Sequence, residues 1–475
     1  MAATDPQGIA FPTASERGMA LYAQGVQQMS YFQAPVLETL DAAIAENPEF
    51  GMPHFAKAYM MLYMTSPEYT HMAGQIMAGL RGVIDTGRLS AVEQAHAAAI
   101  DAWVGGDLRR AAGILDRLGL DYPREVMGLR VGHEMDFFAG QTRNLRDRVA
   151  RQITAWDEAD PHYGIVLGAL AFGLEENGQY AAAEETGLRA LTLHPKDAWA
   201  VHAVAHSYEM RGMTGEGIAF MTGRTGDWAE ANLFAGHNWW HTALFQLDSG
   251  DIDGALQTYD KGIFFDEQMR VEVTMLDASA LLWRLHVDGH DVSSRAGPLS
   301  GDWKGVLPEV PHYPFNDMHA AMAHVAGGDM DAAGHVVARM ERYLAAGDDG
   351  TNAWTMTRRV GLPVCRAIVD FGAGRYADCA ETLYALRGHA AEFGGSHAQR
   401  DALDRTLLAA ALRGGSGAMA RALASERVTN AARNPFNWAR FADALTLDQA
   451  PEPRVAAARE QARSLQAEAR RLAMA

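Results

Sequence analysis

The chain has 475 residues, of which 41 are Lys or Arg and 59 are Asp or Glu, so its formal net charge is −18. This acidic balance argues against a nucleic-acid partner, which needs a basic face against the phosphates, and against docking on anionic membranes. Hydrophobic residues make up 48% of the chain and charged residues 21%, so the chain can bury a sizeable core.

Cysteine usage and hydropathy together favour a cytoplasmic protein. Cys365 and Cys379 are the two cysteines, too few for a disulfide framework. The longest apolar run, residues 164–174, is far shorter than a membrane span. The first residues lack a basic-then-apolar pattern, so we expect no signal peptide.

Small or apolar residues recur three and four positions apart in nearly every segment, which is the period of a helix. Short glycine turns separate these segments, and each turn precedes another stretch of helical composition. The turns centre on Gly106, Gly140, Gly178, Gly212 and Gly250. Their intervals of 34, 38, 34 and 38 residues indicate a regular helix–turn–helix repeat.

The repeat length predicts the fold class. A helix–turn–helix unit of 34 to 38 residues is typical of tetratricopeptide repeats. One pair of helices cannot bury its apolar stripe alone, so successive pairs stack and form a superhelix. We therefore predict an all-α, tetratricopeptide-like helical-repeat superhelix, which is an α-solenoid with a concave groove.

The pattern divides the chain into three predicted parts. Residues 1–287 hold N-terminal tetratricopeptide-like repeats that carry the histidines described below. The period weakens over residues 288–314, where Gly, Ser, Pro and Asp are frequent, so we expect an irregular, loop-rich insertion there. Residues 315–475 hold C-terminal helical repeats, and the Ala- and Arg-rich residues 451–475 form a capping helix.

The placement of histidines is the most informative feature of the sequence. His202 and His206 lie four positions apart and Glu209 lies three further on, so all three share one helical face. His237 and His241 repeat this spacing 35 positions later, which places the two pairs side by side on neighbouring first helices. Imidazoles at i and i+4 chelate one ion, and a second helix completes its shell. We therefore predict a site for zinc, iron, nickel or copper.

A ligand pocket without a metal is a second interpretation of this region, and structural packing is a third. The residues predicted to contact a ligand are Trp199, Tyr208, Asn238, Trp240, Asp317, His319 and Arg400. In the packing interpretation, each histidine ring bonds a neighbouring carbonyl or hydroxyl group, and Glu209 is a buried partner of Arg211 or of a histidine.

Two of the predicted ligand contacts have simpler explanations. We favour Asn316 or Asp317 as the N-cap of a helix over an acid–base pair of Asp317 with His319. For Arg400, we favour a salt bridge between repeats over a bidentate contact with a carboxylate ligand.

Five stretches of the sequence resemble the tetratricopeptide repeat protein 38 family. They cover residues 197–210, 236–244, 315–319, 360–365 and 394–401, and a weaker match upstream runs through residues 93–96 and 106–107. The resemblance implies a tetratricopeptide superhelix over most of the chain. It implies no particular reaction, because a shared fold does not establish a function.

Two functions are compatible with these patterns. The preferred hypothesis is a tetratricopeptide-repeat protein that binds a peptide, a protein or a small organic ligand in a groove lined by histidine and tryptophan. The alternative is an enzyme, with or without a metal, whose hydrolytic or oxidative chemistry uses the histidine cluster with Glu209. The last helix is a candidate seam for a homodimer.

Overall fold

The computed structural model describes residues 3–5, 7–230, 232–265 and 270–474. Ala475, the last residue of the predicted capping helix, lies outside the described residues. The chain folds into two compact units. Unit 1 comprises Met1–Ala203, Asp227–Phe234 and Asp348–Thr355, and unit 2 comprises Val204–Gly226, Ala235–Gly347 and Met356–Ala475.

Unit 1 is a stack of helices preceded by a short antiparallel ladder of β1 (Ala3–Thr4) and β2 (Ala10–Phe11). Its helices are α1 (Glu16–Ser30), α2 (Val36–Glu46), α3 (Gly51–Leu62), α4 (Pro67–Ile84), α5 (Ala91–Val104), α6 (Leu108–Asp121), α7 (Val126–Phe138), α8 (Thr142–Gln152), α9 (Tyr163–Glu175), α10 (Tyr180–Leu193) and the first half of α11 (Ala198–Met210). Each helix from α1 to α9 packs against the helix that follows it. The unit is therefore built from successive helical pairs.

Unit 2 continues the helical pairs after the middle of α11. Its helices are α12 (Thr214–Gly223), α13 (Thr225–Trp228), α14 (Ala235–Asp248), α15 (Ile252–Thr258), α16 (Glu272–Val287), α17 (Ser293–Val306), α18 (Pro314–Ala326), α19 (Met330–Ala345), α20 (Asn352–Met356), α21 (Leu362–Gly372), α22 (Tyr376–Leu386), α23 (His397–Arg413), α24 (Gly417–Asn430), α25 (Pro435–Leu447) and α26 (Glu452–Ala473). The short helices α13 and α20 cross the division between the units. The prediction of an all-α helical-repeat fold is confirmed.

The predicted glycine turns separate the two helices of successive pairs. Each glycine has a positive φ, which costs other residues conformational strain. The φ angles are 84° at Gly106, 65° at Gly140, 75° at Gly178, 69° at Gly212 and 78° at Gly250. The second helix of each pair begins two residues later, so the turns fix the register of the repeat.

Residues 288–314 differ from the expected irregular insertion, because α17 occupies half of them. This helix contains Pro298, yet it buries Ala296, Leu299 and Trp303 on one side. The indole Nε1 of Trp303 also donates to the hydroxyl of Ser279 on α16, at 2.8 Å. Tertiary packing of this apolar stripe outweighs the poor helix propensity of the segment. The rest of the three-part division stays a prediction.

The last helix closes a circuit of helices within unit 2. Helix α26 packs against α25 and also against α12, the first complete helix of the unit. Contacts run from α12 through α14, α16, α23 and α25 to α26. The predicted capping helix, α26, therefore has a neighbouring helix on each of two sides, α25 and α12.

Two distant segments complete unit 1. The amide of Leu233 donates to the carbonyl of Phe32 at 2.7 Å, and the amide of Asn352 donates to the carbonyl of Gly106 at 3.0 Å.

Among the described residues, no helix combines the length and the apolar character that a bilayer crossing requires.

Candidate metal site

Helices α11 and α14 bring three of the predicted metal ligands together in unit 2. His206 lies on α11, and His237 and His241 lie one turn apart on α14. The ring centroids of His206 and His241 are 4.4 Å apart, and those of His237 and His241 are 4.9 Å apart. Each ring offers a nitrogen within 4.8 Å of a nitrogen of the other two. The three imidazoles therefore form one cluster across two helices.

Two carboxylates contact this cluster through the Nδ1 atoms of the imidazoles. His237 Nδ1 lies 2.9 and 3.0 Å from the two carboxylate oxygens of Asp277. His241 Nδ1 lies 2.9 Å from Oε2 of Glu209. A metal on Nε2 keeps the proton on Nδ1, which then donates to the carboxylate. The pair with Asp277 therefore directs Nε2 of His237 to the metal-binding role, and the pair with Glu209 does the same for His241 when Glu209 is ionised.

Burial sets the protonation of His241 and Glu209. His206 and His241 are fully buried. Burial lowers the pKa of His241 well below its ordinary value, and the neighbouring His206 and His237 lower it further. Burial raises the pKa of Glu209 to about 8, against the opposing effects of His206 and Arg284. The imidazole of His241 is thus held neutral, which is the form that binds a metal.

Helix α16 supplies two residues that the sequence analysis missed, Asp277 and Arg284. Arg284 is buried, and its guanidinium lies 5.4 Å from the ring centroid of Trp240. It donates to the carbonyl of Ala280 at 3.0 Å and to that of Ala398 at 2.5 Å. Burial and Arg405 lower the pKa of Arg284 to about 10. The sequence did contain a signal for these two residues. Asp277 and Arg284 are charged residues seven positions apart in an otherwise apolar helical run, and buried charges need partners.

Of the residues predicted to contact a ligand, Trp240 lies directly against the cluster. Its indole stacks on His237, with ring centroids 5.2 Å apart, and is fully buried. Asn238 is also buried, and its backbone carbonyl accepts from the hydroxyl of Thr242 at 3.1 Å. Trp240 therefore forms a wall of the cluster.

Tyr208 and Arg400 make other contacts. The ring of Tyr208 packs edge-on against Phe220, with centroids 5.5 Å apart. A guanidinium nitrogen of Arg400 donates to the carbonyl of Gly395. These contacts stabilise the turns and helices nearby, and a ligand-binding role for the two residues stays a prediction.

His202 and Trp199 belong to unit 1 and lie in an aromatic cluster there. The His202 ring is 4.9 Å from Trp199, 5.0 Å from Phe234 and 5.2 Å from Phe172, measured between centroids. His202 precedes His206 by one turn of the continuous helix α11. Its assignment as a metal ligand stays a prediction.

Neither Asn316 nor Asp317 is the N-cap that we favoured from the sequence, and a ligand-binding role for Asp317 and His319 stays a prediction. Helix α18 begins at Pro314, because proline suits a first helical position, so Asn316 and Asp317 lie inside the first turn rather than at the cap. Asp317 forms a buried ion pair with Arg339. His319 Nδ1 donates to the carbonyl of Phe315 at 2.8 Å. Asp317 is therefore neutralised within the helical core.

No protein-family model matches the chain. Several solved structures resemble it at low sequence identity. The human IFIT1 dimer with PPP-AAAA is 11% identical over 99% of this chain and 96% of its own, with a TM-score of 0.38. The P58(IPK) TPR domain is 12% identical over 81% of this chain and 98% of its own, with a TM-score of 0.22. Naa15/Naa10 bound to HypK-THB is 13% identical over 96% of this chain and 64% of its own, with a TM-score of 0.23. Membership of the tetratricopeptide repeat protein 38 family stays a prediction.

Proposed function

We propose that this chain is a helical-repeat protein that binds one divalent transition metal through His206, His237 and His241. The observation that carries the proposal is the pair of carboxylate–histidine contacts, Asp277 with His237 and Glu209 with His241. Metal-binding histidines commonly donate their second ring N–H to a carboxylate, which fixes the tautomer and the ring orientation.

The donor set selects the class of metal. Neutral imidazole nitrogens suit zinc, copper, nickel and iron, whereas magnesium and calcium prefer oxygen ligands. Zinc–nitrogen bonds are about 2.0 to 2.1 Å long, so any two nitrogens at the 4.8 Å limit of this cluster must approach one another when the ion binds. Zinc is the metal that we place first, because it accepts a tetrahedral set of nitrogens.

The fourth position on the metal separates a binding protein from an enzyme. The sequence spacing proposes His202 for this position, and four protein ligands form a closed, structural site. If an exchangeable ligand takes the position instead, the metal supports the hydrolytic or oxidative chemistry considered as the alternative function. The His202→Ala variant tests this: a closed site loses metal affinity, and an open site retains it.

Elemental analysis of the untagged protein by plasma mass spectrometry tests the proposal. We expect near-stoichiometric metal after incubation with zinc and dialysis, and its loss in His237→Ala and His241→Ala. His71→Ala is the matched control, because His71 is exposed on α4, outside the cluster. Absence of binding with zinc, iron, nickel and copper would refute the metal site, as would equal metal content in all variants.

A second candidate function is binding of a peptide or small organic ligand on the aromatic cluster of unit 1. Phe32, Phe137 and Phe234 are partly exposed and pack around Trp199. Arg130 lies 4.1 Å above the Trp199 ring. Arg130 is buried and already paired with Glu134, so the partly exposed aromatic rings favour an apolar ligand.

A screen of labelled hydrophobic peptides, read by fluorescence anisotropy, tests this second candidate. Phe234→Ala should weaken binding, and equal binding by the variant would exclude this surface. The expected homodimer and the expected absence of a nucleic-acid partner also stay predictions. Light scattering and filter binding with single-stranded RNA check them.

A further inference from the structure

A cavity of about 360 Å³ lies in unit 2 between the ends of α14 and α16 and the last two helices, α25 and α26. Its volume falls within the range of small-molecule sites, about 300 to 1,000 Å³. The apolar part of its lining consists of Leu247, Ile252, Phe436, Ala439, Ala442 and Ala462. None of the metal-cluster residues lines this cavity.

Three carboxylates line the cavity, those of Asp248, Asp288 and Asp443. Asp443 is paired at 3.2 Å with Arg440, which also lines the cavity. Asp248 is 8% exposed and accepts from Arg405 and from the amide of Asn434, each at 2.5 Å. Asp288 forms no ion pair with any described residue. Burial raises the pKa of Asp288, and the more distant Arg405 and Arg440 oppose that effect. An ammonium group of a ligand beside Asp288 would offset the cost of burying its charged form.

Arginines on α26 line the outer part of the same cavity. Arg459 and Arg463 have side chains that are 47% and 66% exposed. Their ion pairs, to Glu452 at 3.9 Å and to Glu460 at 2.6 Å, are on the surface. Exposed ion pairs contribute little free energy, so a carboxylate that offers bidentate geometry competes with them.

We propose that this cavity binds a free α-amino acid, with its ammonium group on Asp288 and its carboxylate on Arg459 and Arg463. The apolar lining, which includes Phe436, receives the side chain of the ligand. The two charged groups of the ligand then match the two charged parts of the cavity. The site is separate from the proposed metal site and does not depend on it.

Other small ligands satisfy only part of this arrangement. An inorganic anion would pair with Arg459 and Arg463 but would leave Asp288 without a cationic partner. A simple amine would pair with Asp288 and leave Arg459 and Arg463 with their weak surface partners. A zwitterion with an apolar side chain satisfies both ends and the lining between them.

Isothermal titration calorimetry of the full chain with each of the common L-α-amino acids tests the proposal. We expect at least one amino acid with an apolar side chain to bind. Asp288→Asn and Arg463→Gln should each weaken that binding by about tenfold or more, because each removes one charged contact. Arg470→Gln is the matched control, because Arg470 is exposed on the same helix and does not line the cavity. The metal-site variant His241→Ala should retain amino-acid binding.

Three results would overturn the proposal. The first is that no amino acid binds. The second is equal affinity for the decarboxylated amine of the best ligand, which would mean that the arginines make no contact. The third is unchanged affinity in both charge variants. If Asp288→Asn fails to fold, as read by circular dichroism, the exposed double variant Arg459→Gln with Arg463→Gln decides the question.

Discussion

Asp277 contacts His237 and is not one of the proposed metal ligands. Replacing it therefore tests whether the carboxylate orients the His237 imidazole. We expect Asp277→Asn to lower metal affinity about ten- to hundredfold, because the amide orients the imidazole less well and makes Nε2 less basic. The fold should persist, since the two side chains have nearly the same shape. Competition with a chromogenic chelator measures the affinity.

Asp253→Asn is the control for this substitution, because Asp253 is exposed in the first turn of α15. Its metal affinity should equal that of the wild type. If Asp277→Asn binds metal as tightly as the wild type does, the carboxylate–histidine pair has no part in the site.

The buried His319 predicts a loss of stability in acid. Burial lowers its pKa to about 4, while its Nδ1 remains bonded to Phe315. An unfolded histidine has a pKa of about 6.5, so between pH 6.5 and 4 the unfolded chain takes up a proton that the folded chain excludes. At pH 4.5 this difference costs about 2 kcal/mol of the free energy of unfolding.

Urea denaturation of the wild type and of His319→Gln at pH 7 and pH 4.5 measures this effect. The wild type should lose about 2 kcal/mol more than the variant does over that interval. The raised pKa of Glu209 increases the free energy of unfolding as the pH falls, which is the opposite effect. This effect is present in both proteins and cancels in the comparison. Equal losses in both proteins would show that His319 does not titrate as described.

At the scale of residues, spacing along a helix predicted more than long-range pairing did. The i, i+4 pattern predicted that His237 and His241 share one face of a helix, because helix geometry alone places them there. Asp277 was missed, because its partner lies on another helix, 40 residues earlier. The N-cap expectation for Asp317 was wrong, because Pro314 starts the helix and a distant arginine takes the carboxylate.

At the scale of helices, Gly173 on α9 marks a close approach to α8. A Cβ atom at this position would lie 2.5 Å from the backbone carbonyl oxygen of Leu145, which cannot move without shifting the helix. We therefore expect Gly173→Ala to destabilise the protein by about 1 to 3 kcal/mol. Denaturant midpoints measure the change.

Gly113 on α6 is the matched control, because no described atom lies within 4 Å of the corresponding Cβ position. There the usual preference of helices for alanine should apply, and Gly113→Ala should stabilise by about 0.5 to 1 kcal/mol. Equal effects of the two substitutions would contradict the close contact between α8 and α9.

Glycine turns and helical period predicted the helical pairs, because both signals are local. They did not predict α17, where Pro298 and a high glycine and serine content favour a loop. The burial of Leu299 and Trp303 against neighbouring helices stabilises that helix instead. Helix propensity predicts a helix poorly wherever tertiary packing supplies most of the free energy that stabilises it.

At the scale of the whole molecule, bound metal should stabilise the folded chain. A ligand that binds only the folded state adds about 2.7 kcal/mol at a free concentration one hundred times its Kd. We expect zinc to raise the Tm of the wild type, and a chelator to reverse the rise. Differential scanning calorimetry of wild type and His241→Ala, each with and without zinc, measures it. The same rise in both would assign the stabilisation to another zinc site.

The contact of α26 with α12 also has a consequence during synthesis of the chain. A Cβ atom at Gly215 on α12 would lie 2.8 Å from atoms of Ala469 and Leu472, so the two helices touch closely. At about 5 to 20 residues per second, the ribosome takes about 10 to 45 s to produce the residues between them. Throughout that interval the surface of α12 is open to other nascent chains. The yield of folded protein therefore depends on how well this surface is shielded until the last helix emerges.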